Sequence, residues 1–128
     1  MRVLICGDRN FVAKQAIMDV VKSLPVDSVV IEGEARGADT LARVCAEDCG
    51  LEVQKFPAQW NKYGRGAGPV RNRQMVTEGK PEAVFAFHDD IDSSKGTGDM
   101  VMVSKHVGLP VKVINSRGEV YRQFNVKE

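Results

Sequence analysis

Short apolar runs alternate with stretches of helical spacing along nearly the whole chain, a pattern that few folds satisfy. Val3 to Cys6, Ser28 to Ile31, Glu52 to Phe56, Ala83 to Phe87 and Val111 to Ile114 read as strands. Between them Ala13, Ala16, Ile17, Val20, Val21 and Leu24 recur on one helical face, as do Leu41, Ala42, Cys45 and Cys49, and later Val103 and Val107. Gly50, Gly79 and Gly108 each follow a helical stretch, where a left-handed C-cap is expected. Strands and helices in this order call for right-handed crossovers and a parallel sheet covered on both faces. The expectation is a doubly wound, Rossmann-like α/β domain over residues 1–128, its five parallel strands in the order 3-2-1-4-5. Asn115-Ser116-Arg117-Gly118 is turn chemistry, and the even spacing of Val120, Phe124 and Val126 adds an antiparallel edge strand.

With 43% hydrophobic and 27% charged residues, 128 residues suffice for one core. A net charge of +1 announces no polyanionic partner, so any anion site must be local. No apolar run is long enough for a signal peptide or a membrane span, which predicts a cytoplasmic protein without membrane contact. Three cysteines make no disulfide framework, and Cys45 and Cys49 stand one helical turn apart; buried free thiols and no metal site are expected. A homodimer or higher even assembly is the expectation for so small a domain of this class.

In an open parallel sheet, ligands bind beyond the carboxyl ends of the strands where strand order reverses. Three junctions there are glycine-rich: Gly7-Asp8-Arg9-Asn10-Phe11, Gly33-Glu34-Ala35-Arg36-Gly37-Ala38-Asp39 and Lys95-Gly96-Thr97-Gly98-Asp99. Glycine lets backbone approach a ligand, and helix N-terminal amides favour phosphate. The blander alternative is tight turns with Asp39 and Thr97 capping helices. A long connection runs from Pro57 to Pro69, and the segment Trp60 to Met75 carries Lys62, Arg65, Arg71 and Arg73 beside Trp60 and Tyr63. Arginine matches phosphate with a planar fork, and the two aromatics are candidates for stacking on a base; a core-plugging Trp60 is the alternative. His88-Asp89-Asp90-Ile91-Asp92 gathers carboxylates, but Lys95 and Val101 break the spacing of a calcium loop counted from Asp90. His106, near Gly108, is expected only to complement a helix C-terminus.

Four motifs, in order, carry a family resemblance: Gly7-Asp8-Arg9-Asn10-Phe11, Ala35-Arg36-Gly37-Ala38-Asp39, Gly68-Pro69-Val70-Arg71-Asn72-Arg73-Gln74-Met75, and Phe87-His88-Asp89 with Ser94-Lys95-Gly96-Thr97-Gly98-Asp99-Met100. Together they resemble the YspA-type, cpYpsA-related SLOG family over residues 1 to about 115. The resemblance implies a Rossmann-like fold that recognises nucleotides or their derivatives. The LOG-type relatives are phosphoribohydrolases that release a base from a nucleoside monophosphate. They carry an Arg followed four residues on by Met, then Pro-Gly-Gly-x-Gly-Thr-x-x-Glu. Arg71 and Met75 fit the first part and Gly96 and Thr97 some of the second, but Ser93 and Ser94 replace the paired glycines and Met100 replaces the catalytic Glu. Glu34 stands where family members often carry another glycine, and is expected to turn outward or accept a ribose hydroxyl.

The expected ligand is therefore a nucleotide derivative of ADP-ribose or nucleoside monophosphate type, with no cofactor required. Its binding residues are expected to be Gly7, Asp8, Arg9, Gly33, Arg36, Gly37, Asp39, Arg71, Asn72, Lys95, Gly96 and Thr97, assisted by Arg73. If the chain is instead a nucleotide hydrolase, Arg71 with Asp99, Asp89 or Asp8 would have to supply the chemistry. Single-stranded nucleic acid, held by the Lys62 to Arg73 segment, is a third reading.

Overall fold

The computed structural model describes residues 1–127; Glu128, part of the single-domain expectation, lies outside the described residues. β1 (Arg2–Gly7) shows how the sheet is buried on both sides. Val3 and Ile5 point to one face and Leu4 and Cys6 to the other, and all four are buried. On the first face α1 (Lys14–Ser23) brings Ala16, Ile17 and Val21, and α2 (Ala38–Asp48) brings Ala42, Cys45 and Ala46. On the second, α4 (Ala67–Thr77) contributes Met75, and α5 (Gly96–His106) contributes Met100 and Val101. Full burial of each large aliphatic side chain stabilises by roughly 1.5–3 kcal/mol, so the two layers together fix the sheet.

β2 (Val29–Glu32) and β3 (Glu52–Lys55) extend the sheet to one side of β1, and β4 (Ala83–Phe87) and β5 (Val111–Ile114) to the other. β6 (Val120–Phe124) closes it, giving the order β3-β2-β1-β4-β5-β6, parallel throughout except for the antiparallel β5–β6 pair. The expected order and the antiparallel edge strand are both found. The chain crosses from β3 to β4 past β1, so the switch in strand order lies at the carboxyl ends of β1 and β4.

Several local expectations are corrected. β2 begins one residue later than expected and includes Glu32, which is fully buried. Gly50 and Gly108 adopt the left-handed conformation, at φ 71° and 86°, but at the third site it is Lys80, at φ 50°, that turns left-handed. Gly79 is required for another reason: a Cβ there would lie 2.3 Å from the Met75 carbonyl oxygen. The buried face of α5 is Thr97, Met100, Val101 and Ser104, whereas Val107 ends the helix 55% exposed. Cys6 and Cys45 are buried but Cys49 is exposed, near the Met18 sulfur at 3.7 Å. The connection after β3 is not a plain loop: it holds the short helix α3 (Trp60–Tyr63) and a 3-10 turn over Gly64–Gly66. Pro69 sits in the first turn of α4, where its missing N–H is harmless.

Candidate functional site

Two loops meet backbone to backbone at the switch point. The Ala38 N–H donates to the Asp8 carbonyl at 3.1 Å, and the Asp8 N–H to the Phe87 carbonyl at 2.9 Å. A Cβ on Gly7 would lie 2.3 Å from the Phe87 oxygen, and one on Gly37, which has φ 71°, 2.4 Å from Arg9 and Asp8 backbone. These glycines let the β1–α1 loop lie against the start of α2. The Asp8 carboxylate accepts the Asn10 N–H at 2.9 Å and shapes the loop that presents Arg9.

Arg71, on the first turns of α4, is seated rather than loose. Its Nη1 donates to the Gly33 carbonyl at 2.5 Å and its Nε to Asn72 Oδ1 at 3.1 Å. Gly33 leaves the space it fills, since a Cβ there would come within 2.4 Å of Arg71 Nη1. Asn72 is buried and donates to Asp99 Oδ2 at 3.0 Å; Arg73 reaches the same carboxylate from outside at 3.2 and 3.4 Å. Arg73 is thus committed to Asp99, and it does not line the cleft.

Beneath the β2–α2 loop lie two buried carboxylates. Glu32 Oε2 accepts the Glu34 N–H at 2.6 Å. Asp39 accepts the Ala35 N–H at 3.1 Å. Two consecutive loop amides therefore point inward to carboxylates rather than outward to a ligand. Burial drives the Asp39 carboxyl up to about 6, against the lowering effect of the Ala35 amide and the nearby Arg71 charge. Burial also drives Glu32 up to about 7, the Glu34 amide opposing and the Asp39 charge reinforcing it. The Cys6 thiol, at the cleft floor, is pushed far above its usual range by burial first and by Asp39 second, so it is no nucleophile near neutrality.

At the third junction the start of α5 is capped by Ser94, whose Oγ accepts the Thr97 and Gly98 N–H groups at 3.1 and 3.2 Å. The blander alternative, in which Asp39 and Thr97 cap helices, does not hold: the cap of α5 is Ser94, and Asp39 holds the preceding loop instead. An anion meeting the Thr97 amide would have to share it with this hydroxyl.

These elements enclose a cleft of about 800 Å³, within the range of nucleotide-sized pockets. Gly7, Asp8, Arg9, Arg36, Asp39, Arg71, Asn72, Lys95, Gly96, Thr97 and Asp99 all line it, as does Trp60, which is 60% exposed and plugs no core. Gly33 and Gly37 act from behind the wall by making room for Arg71 and Arg9. Glu34 lines the cleft but places Oε1 3.7 Å from Lys55 Nζ, turned toward β3. Tyr63 does not line it; Lys62 Nζ lies 5.1 Å from its ring centroid. Asp89 is also outside, its carboxylate accepting from the Ser116 N–H and Oγ at 2.7 and 2.6 Å, which keeps it below the usual carboxylate range. The Met100 side chain is buried in the core beside the cleft.

Sequence reasoning missed Glu32 and the capping role of Ser94, and left Arg65 and His88 out of the expected binding residues although it named both. Arg65 and His88 line the cleft, and His88 Nδ1 accepts the Asp90 N–H at 2.9 Å, which leaves the proton on Nε2. A lone acidic residue ending an apolar strand, as Glu32 does, was the one available signal for the buried carboxylate. Among the described residues no group of three or more His, Cys, Asp or Glu side chains is placed to hold a metal ion, and no helix is long and apolar enough to cross a membrane.

Comparison with known proteins bears on this arrangement. The model of the YspA, cpYpsA-related SLOG family matches residues 1–63. Gene 61 protein of Mycobacterium phage D29 is 32% identical over 119 residues, an alignment covering 86% of this chain and 93% of the phage protein. The X-ray structure of DNA processing protein A (DprA) from Streptococcus pneumoniae is similar with a TM-score of 0.71 at 20% identity, over 88% of this chain. The chain spans 50% of that protein's length, and the likeness is one of fold.

Proposed function

Since the chain belongs to the YspA, cpYpsA-related SLOG family, we propose that it binds a nucleotide derivative with its phosphates at Arg71 and its base toward Trp60. The observation that carries this reading is the seat of Arg71. A glycine, an asparagine and a main-chain carbonyl fix one guanidinium at the cleft wall, which suits it to a planar, charge-assisted contact with phosphate. Arg9, Arg36, Arg65 and Lys95 surround it. The cleft carboxylates are engaged inside the protein, Asp39 with a loop amide and Asp99 with Asn72 and Arg73, which lessens their repulsion of an anion.

Binding without turnover is the reading favoured over hydrolysis. Of the acids considered for glycosidic cleavage, Asp99 is held by three donors, Asp8 lines the cleft but accepts the Asn10 N–H of its own loop, and Asp89 lies outside the cleft. The chain has a single tryptophan, so Trp60 emission reports the cleft directly. Titration with ADP-ribose is expected to change that emission saturably, and chromatography after long incubation to return the ligand intact. Release of free base or ribose phosphate would replace this reading with the enzymatic one, and an unchanged emission would remove the base from Trp60.

Exposed Lys62 and Arg65 beside Trp60, together with a fold shared with a DNA processing protein, support single-stranded nucleic acid as a second reading. It predicts affinity that falls steeply with salt, whereas a mononucleotide pocket is less sensitive.

A further inference from the structure

Glu32, behind the cleft wall, is a carboxylate whose placement the binding reading leaves unused. It is fully buried at the end of β2; Oε2 receives the Glu34 N–H, and Oε1 finds no hydrogen-bond partner among the described residues. A buried, half-satisfied carboxylate is strongly disfavoured if ionised and much less so if it carries a proton. Its charged surroundings are mixed. Asp39 and Arg43 face it from α2, Glu34 from the loop, and Lys55 is its register partner on β3, itself 3.7 Å from Glu34. Asp39 in turn faces Arg71 of α4 and Cys6 of β1.

We propose that Glu32, set beneath the β2–α2 loop with one oxygen on the Glu34 amide and the other unpartnered, takes up a proton when an anionic ligand enters the cleft. Ligand affinity then falls as pH rises through neutrality. The inference rests on the ligand reading above. A phosphate at Arg71 neutralises the cation that favours ionised Asp39 and adds negative charge above both carboxylates, so the proton binds more tightly in the complex. The position of Glu32, driven up to about 7 by burial, puts this exchange in the accessible range. By linkage, affinity is fullest below the pKa of the free protein and declines until pH exceeds that of the complex.

ADP-ribose is the probe, because its pyrophosphate has no group that titrates near neutrality, unlike a phosphate monoester. Calorimetry at pH 7 in two buffers of different ionisation enthalpy counts protons taken up on binding. The expected result is net uptake by the wild-type protein, with Kd about five- to tenfold tighter at pH 6 than at pH 8, tenfold corresponding to a rise of one pH unit in the complex. Glu32→Gln, which keeps the shape and removes the titration, is expected to bind with little uptake and a flat profile. His88→Gln is expected to retain the wild-type uptake, since the cleft's imidazole takes no part in the exchange. Undiminished uptake in Glu32→Gln, loss of uptake in His88→Gln, or wild-type binding without uptake would each overturn the inference. If Glu32→Gln does not fold, a wild-type Kd profile centred near 7 and retained in His88→Gln still assigns the proton to Glu32, whereas one centred near 6 assigns it to Asp39 and overturns the inference. Failure of ADP-ribose to bind at any pH removes the ligand reading and this inference with it, whereas binding without proton exchange removes the inference alone.

Discussion

Gly33 and Gly7 are both glycines at the cleft, but the structure assigns them opposite failure modes under the same substitution. In Gly33→Ala the new methyl would stand 2.4 Å from Arg71 Nη1 and 2.8 Å from Cζ, about 1 Å inside ordinary contact. The clashing atoms are the far end of a flexible side chain, and Gly33 does not have positive φ, so the arginine swings away and the backbone stays. The fold loses the Arg71 to Gly33 bond and gains up to about 1 kcal/mol from a less flexible unfolded chain, leaving stability within about 2 kcal/mol of wild type. Ligand affinity is hit harder. A hydrogen bond to a charged group contributes about 1.5–3 kcal/mol, which is roughly 10- to 150-fold in Kd. In Gly7→Ala the methyl would lie 2.3 Å from the Phe87 carbonyl oxygen and 2.6 Å from Ala38 Cβ, both in fixed elements, and the cost falls on folding at about 3 kcal/mol or more. Urea unfolding of both variants, paired with ADP-ribose titration of Gly33→Ala, separates the two. Unchanged affinity in Gly33→Ala, or destabilisation as large as in Gly7→Ala, would refute the seating of Arg71.

Ser94→Ala removes the acceptor of two helix amides and is expected to destabilise by about 0.5–2 kcal/mol in denaturant unfolding; no change would mean that Ser94 is not the cap of α5. Glu32→Gln alters the pH dependence of stability in the unliganded protein. The wild-type carboxyl rises from 4.5 to about 7 on folding, so its folded state holds the extra proton and stability falls as pH rises between those values, by about 3 kcal/mol at most. Denaturation from pH 4.5 to 8 should show that decline in the wild type and a flatter line in the variant; parallel lines would contradict the burial assigned to Glu32. Trp60→Ala, which removes a 60% exposed ring, should leave stability within about 0.5 kcal/mol and weaken adenine-containing ligands more than inorganic pyrophosphate; equal weakening would detach Trp60 from the base.

The strand order was legible because five strands each separated by a helical period admit few arrangements, and glycines mark the joints; β3 was expected to be buried but lies half-exposed at the sheet edge. The first three junctions of the cleft were legible for the same reason, since ligand sites in such sheets follow from topology. What the sequence hid was where individual polar groups point. Asp99 reads as a free acid beside a glycine-rich loop, yet its partners Asn72 and Arg73 come from 27 and 26 residues away and are brought by packing of α4 on α5. Asp89 reads as a catalytic neighbour of His88, but the β5–β6 turn supplies Ser116 to hold it outside. The β2–α2 loop reads as part of a phosphate cradle, and two buried acids claim its Glu34 and Ala35 amides from below. Tyr63 and Trp60 are three residues apart, and one turn of α3 separates the exposed ring at the cleft from the one outside it.

Whether a seated Arg71 binds the phosphate of a nucleotide derivative is decided by calorimetric titration of wild type and Arg71→Ala with ADP-ribose. Expected are saturable one-site binding by the wild type and a Kd weakened about 10- to 150-fold in the variant, with its urea midpoint nearly unchanged. Equal affinity in the two proteins, or no binding by the wild type at millimolar ligand, would contradict that role of Arg71.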